Sequence, residues 1–354
     1  MWPKKKQEDD AKKWSNNRKC PDAAGKTCIL YYFTLRCKVC GAEIPTKVEY
    51  LCENGRCIDE WADLHKPVDG QQGCLAALAE LKRKNAHLKT LVSFGGANSS
   101  VEFAELAAGE ISRQTFARQA RVFCDDHGLD GIDVDWEHPN TSEQGRDFVK
   151  LIRAVREALP SPDYLVTAAL PVGEYCLGNI DLAETCRMLD FLNLMAYDFT
   201  GAWTSVCGHH AQLVAASQHP DLAQSACRGV DYVLSRGVPA HKVVLGVPAY
   251  ARFFPDAKGP GQTSGSNIGE MDYCDLPDEW VSGACVDDTL ATASYVDHGQ
   301  GGKGFVSFDV PSTVALKARY ARATGLGGLF YWTGIGDRPG QESLIVAGRA
   351  VLES

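Results

Sequence analysis

From Leu129 to Glu137 the chain reads Leu-Asp-Gly-Ile-Asp-Val-Asp-Trp-Glu, an alternation of apolar and acidic residues that constrains the fold more than any other stretch. Strand side chains repeat with period two, so Ile132, Val134 and Trp136 point one way and Asp133, Asp135 and Glu137 the other, with neighbours on one face roughly 7 Å apart. Such a row lies either at a solvated sheet edge or in a covered site. Phe123-Cys124 upstream and the wholly apolar opposite face favour a central, covered strand. In a covered row, repulsion and desolvation raise the proton affinity of at least one carboxyl, which is how a carboxylic acid stays protonated for general-acid chemistry. Glu137, last on the strand, is the expected acid.

The pattern around this stretch is one of alternating strands and helices. Cys28 to Thr34 reads as a buried strand, and Lys47 to Leu51 as a weak one. A helix through Leu75, Leu78 and Leu81 follows, then a strand from Leu88 to Phe94 closed by Gly95-Gly96. Helices are expected at Gln144 to Leu159, Leu182 to Met188, Ala223 to Arg236 and Ser312 to Thr324. Strands are expected at Tyr164 to Leu170, Phe191 to Tyr197, Lys242 to Val247 and Gly328 to Trp332. Strand, helix, strand, repeated, requires a parallel sheet. The fold class is α/β, and the count of strand positions favours a (β/α)8 TIM barrel over an open doubly wound sheet. No Gly-x-Gly-x-x-Gly follows the first strand. The Gly- and Asp-rich segment with short aromatic strands, about 253–310, reads as a small α+β insertion between strands 7 and 8. Residues 1–27 form a polar tail and 28–354 the barrel domain.

Composition removes several function classes. A formal charge of -9 over 354 residues, with the lysines near the start interleaved with acids, provides no basic surface for nucleic acid. No apolar run approaches the roughly 18 residues that span a bilayer, and Met1 to Lys19 lacks the apolar core of a secretory signal. The 14 cysteines are scattered through a long chain. Cys37 and Cys40, followed by Cys52 and Cys57, leave three readings open: zinc ligands, disulfides, or free thiols.

Asp130-Gly131-Ile132-Asp133-Val134-Asp135-Trp136-Glu137 resembles the D-G-x-D-x-D-x-E signature of the family 18 glycoside hydrolases, the chitinases and their relatives. Four further stretches match the family in order: Ser93-Phe94-Gly95-Gly96, Met195-Ala196-Tyr197-Asp198, Gly246 to Arg252, and Trp332. The resemblance runs from about Asp59 to the C-terminus and is nearest the fungal chitinases. It implies that Glu137 protonates the leaving oxygen, that Asp135 holds the substrate's acetamido group and shares a proton with Asp133, and that Tyr197 bonds the acetamido carbonyl. Trp332 then floors the sugar at the cleavage point, since pyranose C–H faces pack on aromatic rings. Asp198 and Arg252 form a charge pair on this reading, and Met195, Tyr250, Tyr32 and Trp203 are further substrate contacts. No cofactor and no metal is implied. The partner is chitin or chitooligosaccharide, with no nucleic acid, no membrane and a monomeric protein. The family's habit is extracellular; the missing signal leaves a cytoplasmic alternative. In place of the family's second-strand Y-A-F stands Glu49-Tyr50-Leu51-Cys52, so strand 2 is degenerate or missing.

The implied activity is an endo-acting chitinase on β-1,4-linked N-acetylglucosamine polymers. Two alternatives stay open at this point: a chitooligosaccharide-binding lectin without turnover, in which the acidic row is commonly altered, and an endo-β-N-acetylglucosaminidase on glycoproteins. A retaining glycosidase ordinarily places two carboxylates about 5 Å apart on opposite sides of the bond. Three acids on one strand do not meet that requirement. Family 18 is a recognised exception in which the substrate's acetamido oxygen attacks instead. General-acid assistance contributes roughly 10²- to 10⁴-fold, and more for a poor leaving group. Glu137→Gln therefore lowers hydrolysis of chitin oligomers by at least about 10²-fold while leaving folding and oligosaccharide binding nearly intact; steady-state kinetics showing activity within a few-fold of the parent refute the assignment.

Overall fold

The computed structural model describes residues 64–354 apart from 69, 98–99, 216–218 and 300–301. Tyr32, the strands expected at Cys28 to Thr34 and Lys47 to Leu51, and Cys37, Cys40, Cys52 and Cys57 lie outside the described residues. Two compact units divide the chain, one running to Leu170 with Glu174–Leu192, the other comprising Pro171–Gly173 and Asn193–Ser354.

In the first unit, helix α1 (Cys74–Lys84) precedes strand β1 (Leu91–Gly96), followed by α2 (Ser100–Ala108), α3 (Glu110–His127), β2 (Gly131–Trp136), α4 (Ser142–Ala158), β3 (Leu165–Pro171) and α5 (Leu182–Met188). Strands β1, β2 and β3 pair in parallel, and Ser93, Asp133 and Thr167 stand on one rung. Helix α4 shows why the elements form where they do. The Thr141 side chain caps its first turn by accepting from Gln144 N, and Phe148, Leu151, Ile152 and Val155 make a fully buried stripe at helical spacing. Each buried side chain of this size contributes about 1.5–3 kcal/mol. Helix α3 ends at Gly128, which adopts the left-handed conformation.

The acidic strand is central, so the solvated-edge alternative is overturned. Ile132, Val134 and Trp136 are fully buried. Trp136 stacks on Phe103 at 5.9 Å and lies 6.2 Å from Phe148. Asp130, the first acid of the motif, serves the frame: it accepts from Thr90 N at 2.8 Å and pairs with Lys82 at 2.7 Å and Lys89 at 3.2 Å.

Strand β4 (Phe191–Met195) follows α5, its first two residues counted with the first unit and the rest with the second. The second unit continues with α6 (Ala226–Ser235) and β5 (Val243–Pro248). The chain then leaves for a five-stranded antiparallel sheet of β6 (Tyr250–Phe254), β7 (Gly269–Asp272), β8 (Cys285–Asp287), β9 (Thr292–Asp297) and β10 (Gly304–Phe308), in the order β8-β9-β10-β6-β7. Helix α7 (Pro311–Thr324), strand β11 (Gly328–Trp332), parallel to β5, and helix α8 (Leu344–Leu352) complete it. The stretch Gly246 to Arg252 thus divides: β5 stops at Pro248, and the antiparallel sheet begins at Tyr250 rather than near residue 253. Phe253, Tyr273, Trp280, Val306 and Phe308 fill the core of this sheet. Lys317 on α7 pairs with Asp309, both almost wholly buried.

Close packing of β1 on β2 depends on a missing side chain. Gly95 has φ +129°, and a Cβ there would lie 1.9 Å from the Asp135 carbonyl oxygen. Gly95→Ala therefore forces the strands apart beside the acidic row, at a cost of about 1–3 kcal/mol or more. The melting temperature falls by about 1–2 °C per kcal/mol for a chain of this size; an unchanged thermal melt refutes the packing argument.

Candidate active site

The acidic row gains its electrostatics from the rungs of the sheet. Asp133 is buried, and its two carboxylate oxygens are each engaged by a hydroxyl from a neighbouring strand: Ser93 Oγ donates to Oδ2 at 2.9 Å and Thr167 Oγ1 to Oδ1 at 2.5 Å. Both Asp133 oxygens are thus partnered by hydroxyl donors. Asp135, two residues on, is also buried, and its Oδ1 has no hydrogen-bond partner among the described residues. Its burial, then the charges of Glu137 and Asp133, push its carboxyl well above the ordinary range. The rise in proton affinity expected of at least one member of the row is thus found at Asp135.

Glu137 stands one residue beyond the end of β2, its side chain 23% exposed and so within reach of a ligand. His138 Nε2 lies 3.7 Å from Glu137 Oε2. Burial lowers the His138 imidazole to about 4, so it places no positive charge beside Glu137 at neutral pH. The ring meets Tyr175 edge-on at 5.8 Å. No sequence pattern singled out His138; adjacency to the motif was its one signal.

A second group forms around Asp198 in the other unit. Asp198 Oδ1 accepts from Tyr250 Oη at 2.8 Å and from Arg252 Nη2 at 2.5 Å, so the expected charge pair is made. Burial alone would raise the Asp198 carboxyl; His210 and the Arg252 charge outweigh it and hold the group well below the ordinary range. His210 Nδ1 stands 3.7 Å away, and burial lowers that imidazole as well. With the ring uncharged, the guanidinium is the partner that carries charge. Arg252 also approaches Glu270 at 3.4 Å and lies 5.0 Å over the exposed ring of Trp203. Tyr197 packs edge-on against Tyr250 at 6.2 Å and Phe330 at 6.1 Å. Met195 ends β4 half-buried, and Trp332 ends β11 with 39% of the residue exposed, available to pack on a ligand. The sequence reading missed His210, whose role arises entirely from what surrounds it.

Asp135 has a consequence for stability. A proton affinity higher in the folded than in the unfolded chain stabilises the fold fully below the ordinary value of 3.8 and loses that contribution as pH rises through the folded-state value. Asp135→Asn cannot ionise, so between about pH 4 and pH 8 its melting temperature falls less than the parent's. Parallel melting curves for the two proteins across that range refute the burial of an unsatisfied carboxyl here.

The family model for glycosyl hydrolases family 18 matches residues 10–337. Chitinase 1 of Aphanocladium album is 34% identical over 302 residues, covering 81% of this chain and 70% of that protein. Endochitinase 1 of Metarhizium robertsii is 33% identical over 312 residues, covering 81% and 73%. Among solved structures, chitinase ChiA74 from Bacillus thuringiensis superposes with a TM-score of 0.74 at 27% identity, covering 84% of this chain and 57% of that one. The strand and helix order, the complete acidic row at the end of β2 and these likenesses agree: the chain is a (β/α)8 barrel and belongs to glycosyl hydrolase family 18.

Proposed function

We propose that this hydrolase is an endo-acting chitinase that cleaves β-1,4-linked N-acetylglucosamine polymers with retention of configuration. The observation that carries the proposal is the complete row of Asp133, Asp135 and Glu137, in which Asp135 favours its protonated form and Glu137 stands open to a ligand. A lectin-like relative has no need of a raised proton affinity beside an accessible glutamic acid.

In this reading Glu137 gives its proton to the glycosidic oxygen as the anomeric C–O bond breaks, and the electron pair stays on the leaving sugar. The acetamido oxygen of the sugar left behind forms the new bond to the anomeric carbon, giving a cyclic oxazolinium ion. Asp135 holds the acetamido N–H, its own proton passing towards Asp133, and Tyr197 donates to the acetamido oxygen. Water then attacks the same carbon and gives a proton to Glu137 as the ring C–O bond breaks and its electron pair restores the acetamido group, and the double inversion gives retention. Trp332 supports the ring at the cleavage point. Asp198, Arg252, Tyr250, Met195, Trp203 and Tyr32 bind neighbouring positions. Chitin and its oligomers are the partners, and the protein acts as a monomer outside the cell. Among the described residues no helix is long and apolar enough to cross a membrane.

Because a well-placed internal nucleophile contributes up to about 7–11 kcal/mol over a bimolecular step, substrates without the acetamido group lose most of the rate. The purified protein cleaves chitin oligomers, leaves cellulose and fully deacetylated chitosan oligomers of equal length intact, and is inhibited by a stable thiazoline mimic of the oxazolinium ion. Product analysis showing comparable cleavage of cellulose, or a covalent sugar trapped on Asp198, overturns this route; release of glycans from an N-glycosylated protein in preference to chitin cleavage overturns the substrate.

A further inference from the structure

His210 is completely buried, and neither ring nitrogen has a hydrogen-bond partner among the described residues. Its backbone is fixed on both sides, the carbonyl accepting from Phe199 N at 3.0 Å and the N–H donating to Ser307 Oγ at 3.3 Å. Those bonds tie it to the residue next to Asp198 and to strand β10. The ring packs 5.1 Å from Tyr250, with Nδ1 3.7 Å from Asp198 Oδ1. An apolar side chain would fill this space without leaving two polar atoms unpaired, so packing by itself gives no reason for an imidazole.

Asp198 supplies the reason. Its backbone has φ +58°, an uncommon conformation for a residue other than glycine, so something must hold it there. Tyr250, Arg252 and the His210 ring all converge on Oδ1. Oδ2 has no partner among the described residues, and the side chain is 40% exposed. Three groups on one oxygen aim the other outward.

We propose that His210 is a positioning residue for substrate binding: with Tyr250 and Arg252 it braces Asp198 Oδ1 so that Oδ2 is presented to a sugar hydroxyl or amide. The inference rests on the reading of Asp198 as a substrate contact. Burial keeps the ring neutral, so it offers a single N–H without competing as a second cation against Arg252 for the same oxygen. At 3.7 Å the ring stands just beyond hydrogen-bond distance, so a shift of under about 1 Å completes the contact.

The test is a double-mutant cycle on chitooligosaccharide hydrolysis, with thermal melts to confirm folding. Asp198→Asn raises KM. His210→Phe raises KM about three- to tenfold, the net worth of one hydrogen bond, with kcat within about twofold. His210→Gln, which keeps an N–H donor, recovers most of that loss. In the Asp198→Asn background His210→Phe adds little further, because its effect passes through Asp198. If His210→Phe does not fold, His210→Met takes its place in the same cycle. A fully additive cycle, equal KM changes for the glutamine and apolar variants, or a parental KM in the apolar variant overturns the positioning role. An unchanged KM in Asp198→Asn overturns the substrate-contact reading and this proposal with it, whereas a raised KM there with a parental His210→Phe overturns the proposal alone.

Discussion

Asp133 sits on the middle strand of a parallel trio with a hydroxyl from each neighbour bonded to one of its oxygens, and the chemistry of the acidic row depends on that bracket. A buried carboxylate without donors would neutralise itself, because leaving water costs a charge far more than a dipole. Ser93 and Thr167 replace that water. Their placement follows from register, since Ser93, Asp133 and Thr167 occupy one rung, and the register is in turn guarded by the close approach of Gly95 to Asp135. Asp135 receives no such help at Oδ1 and answers by favouring its proton.

The row thus separates like groups by environment. Two aspartates of identical chemistry, two residues apart, stand in different surroundings: hydroxyl donors meet both oxygens of Asp133, while burial and two like charges raise the proton affinity of Asp135. Glu137, beyond the strand end, is left partly open. The apolar half of the same strand has a mechanical part: Trp136 between Phe103 and Phe148 anchors β2 against α2 and α4, so packing on one face adds to the hydrogen bonds that hold Asp133 on the other.

Around Asp198 the logic is inverted. Here a carboxylate is held ionised by a guanidinium and a phenol hydroxyl, and the surrounding aromatic rings of Tyr197, Tyr250 and Trp203 supply flat apolar surface beside a charged group. That pairing of planar rings with strong acceptors suits sugars, which present C–H faces and hydroxyl edges. The departure of the chain from β5 at Pro248 into the antiparallel sheet matters for this group. It carries Tyr250 and Arg252 on the first strand of that sheet, where they reach Asp198 from a second element.

Local alternation determined a good deal by itself. Period two between Leu129 and Glu137 assigned each side chain its face, and helical spacing of Phe148, Leu151, Ile152 and Val155 located α4, because both signals depend only on backbone geometry. The Asp198–Arg252 pair was legible from complementary charge within the family motifs. Strand ends were less so: β4 stops at Met195, two residues short of the expected Tyr197. Tertiary structure alone decided the surroundings of each acid: hydroxyls reach Asp133 from sequence distances of 34 and 40 residues, and Asp135 Oδ1 is buried without a partner among the described residues. It alone made Asp130 a clamp on Thr90, Lys82 and Lys89. It alone gave His210 its place, because a histidine's burial and neighbours are properties of space, and nothing in the order Gly-His-His-Ala encodes an aspartate 3.7 Å away.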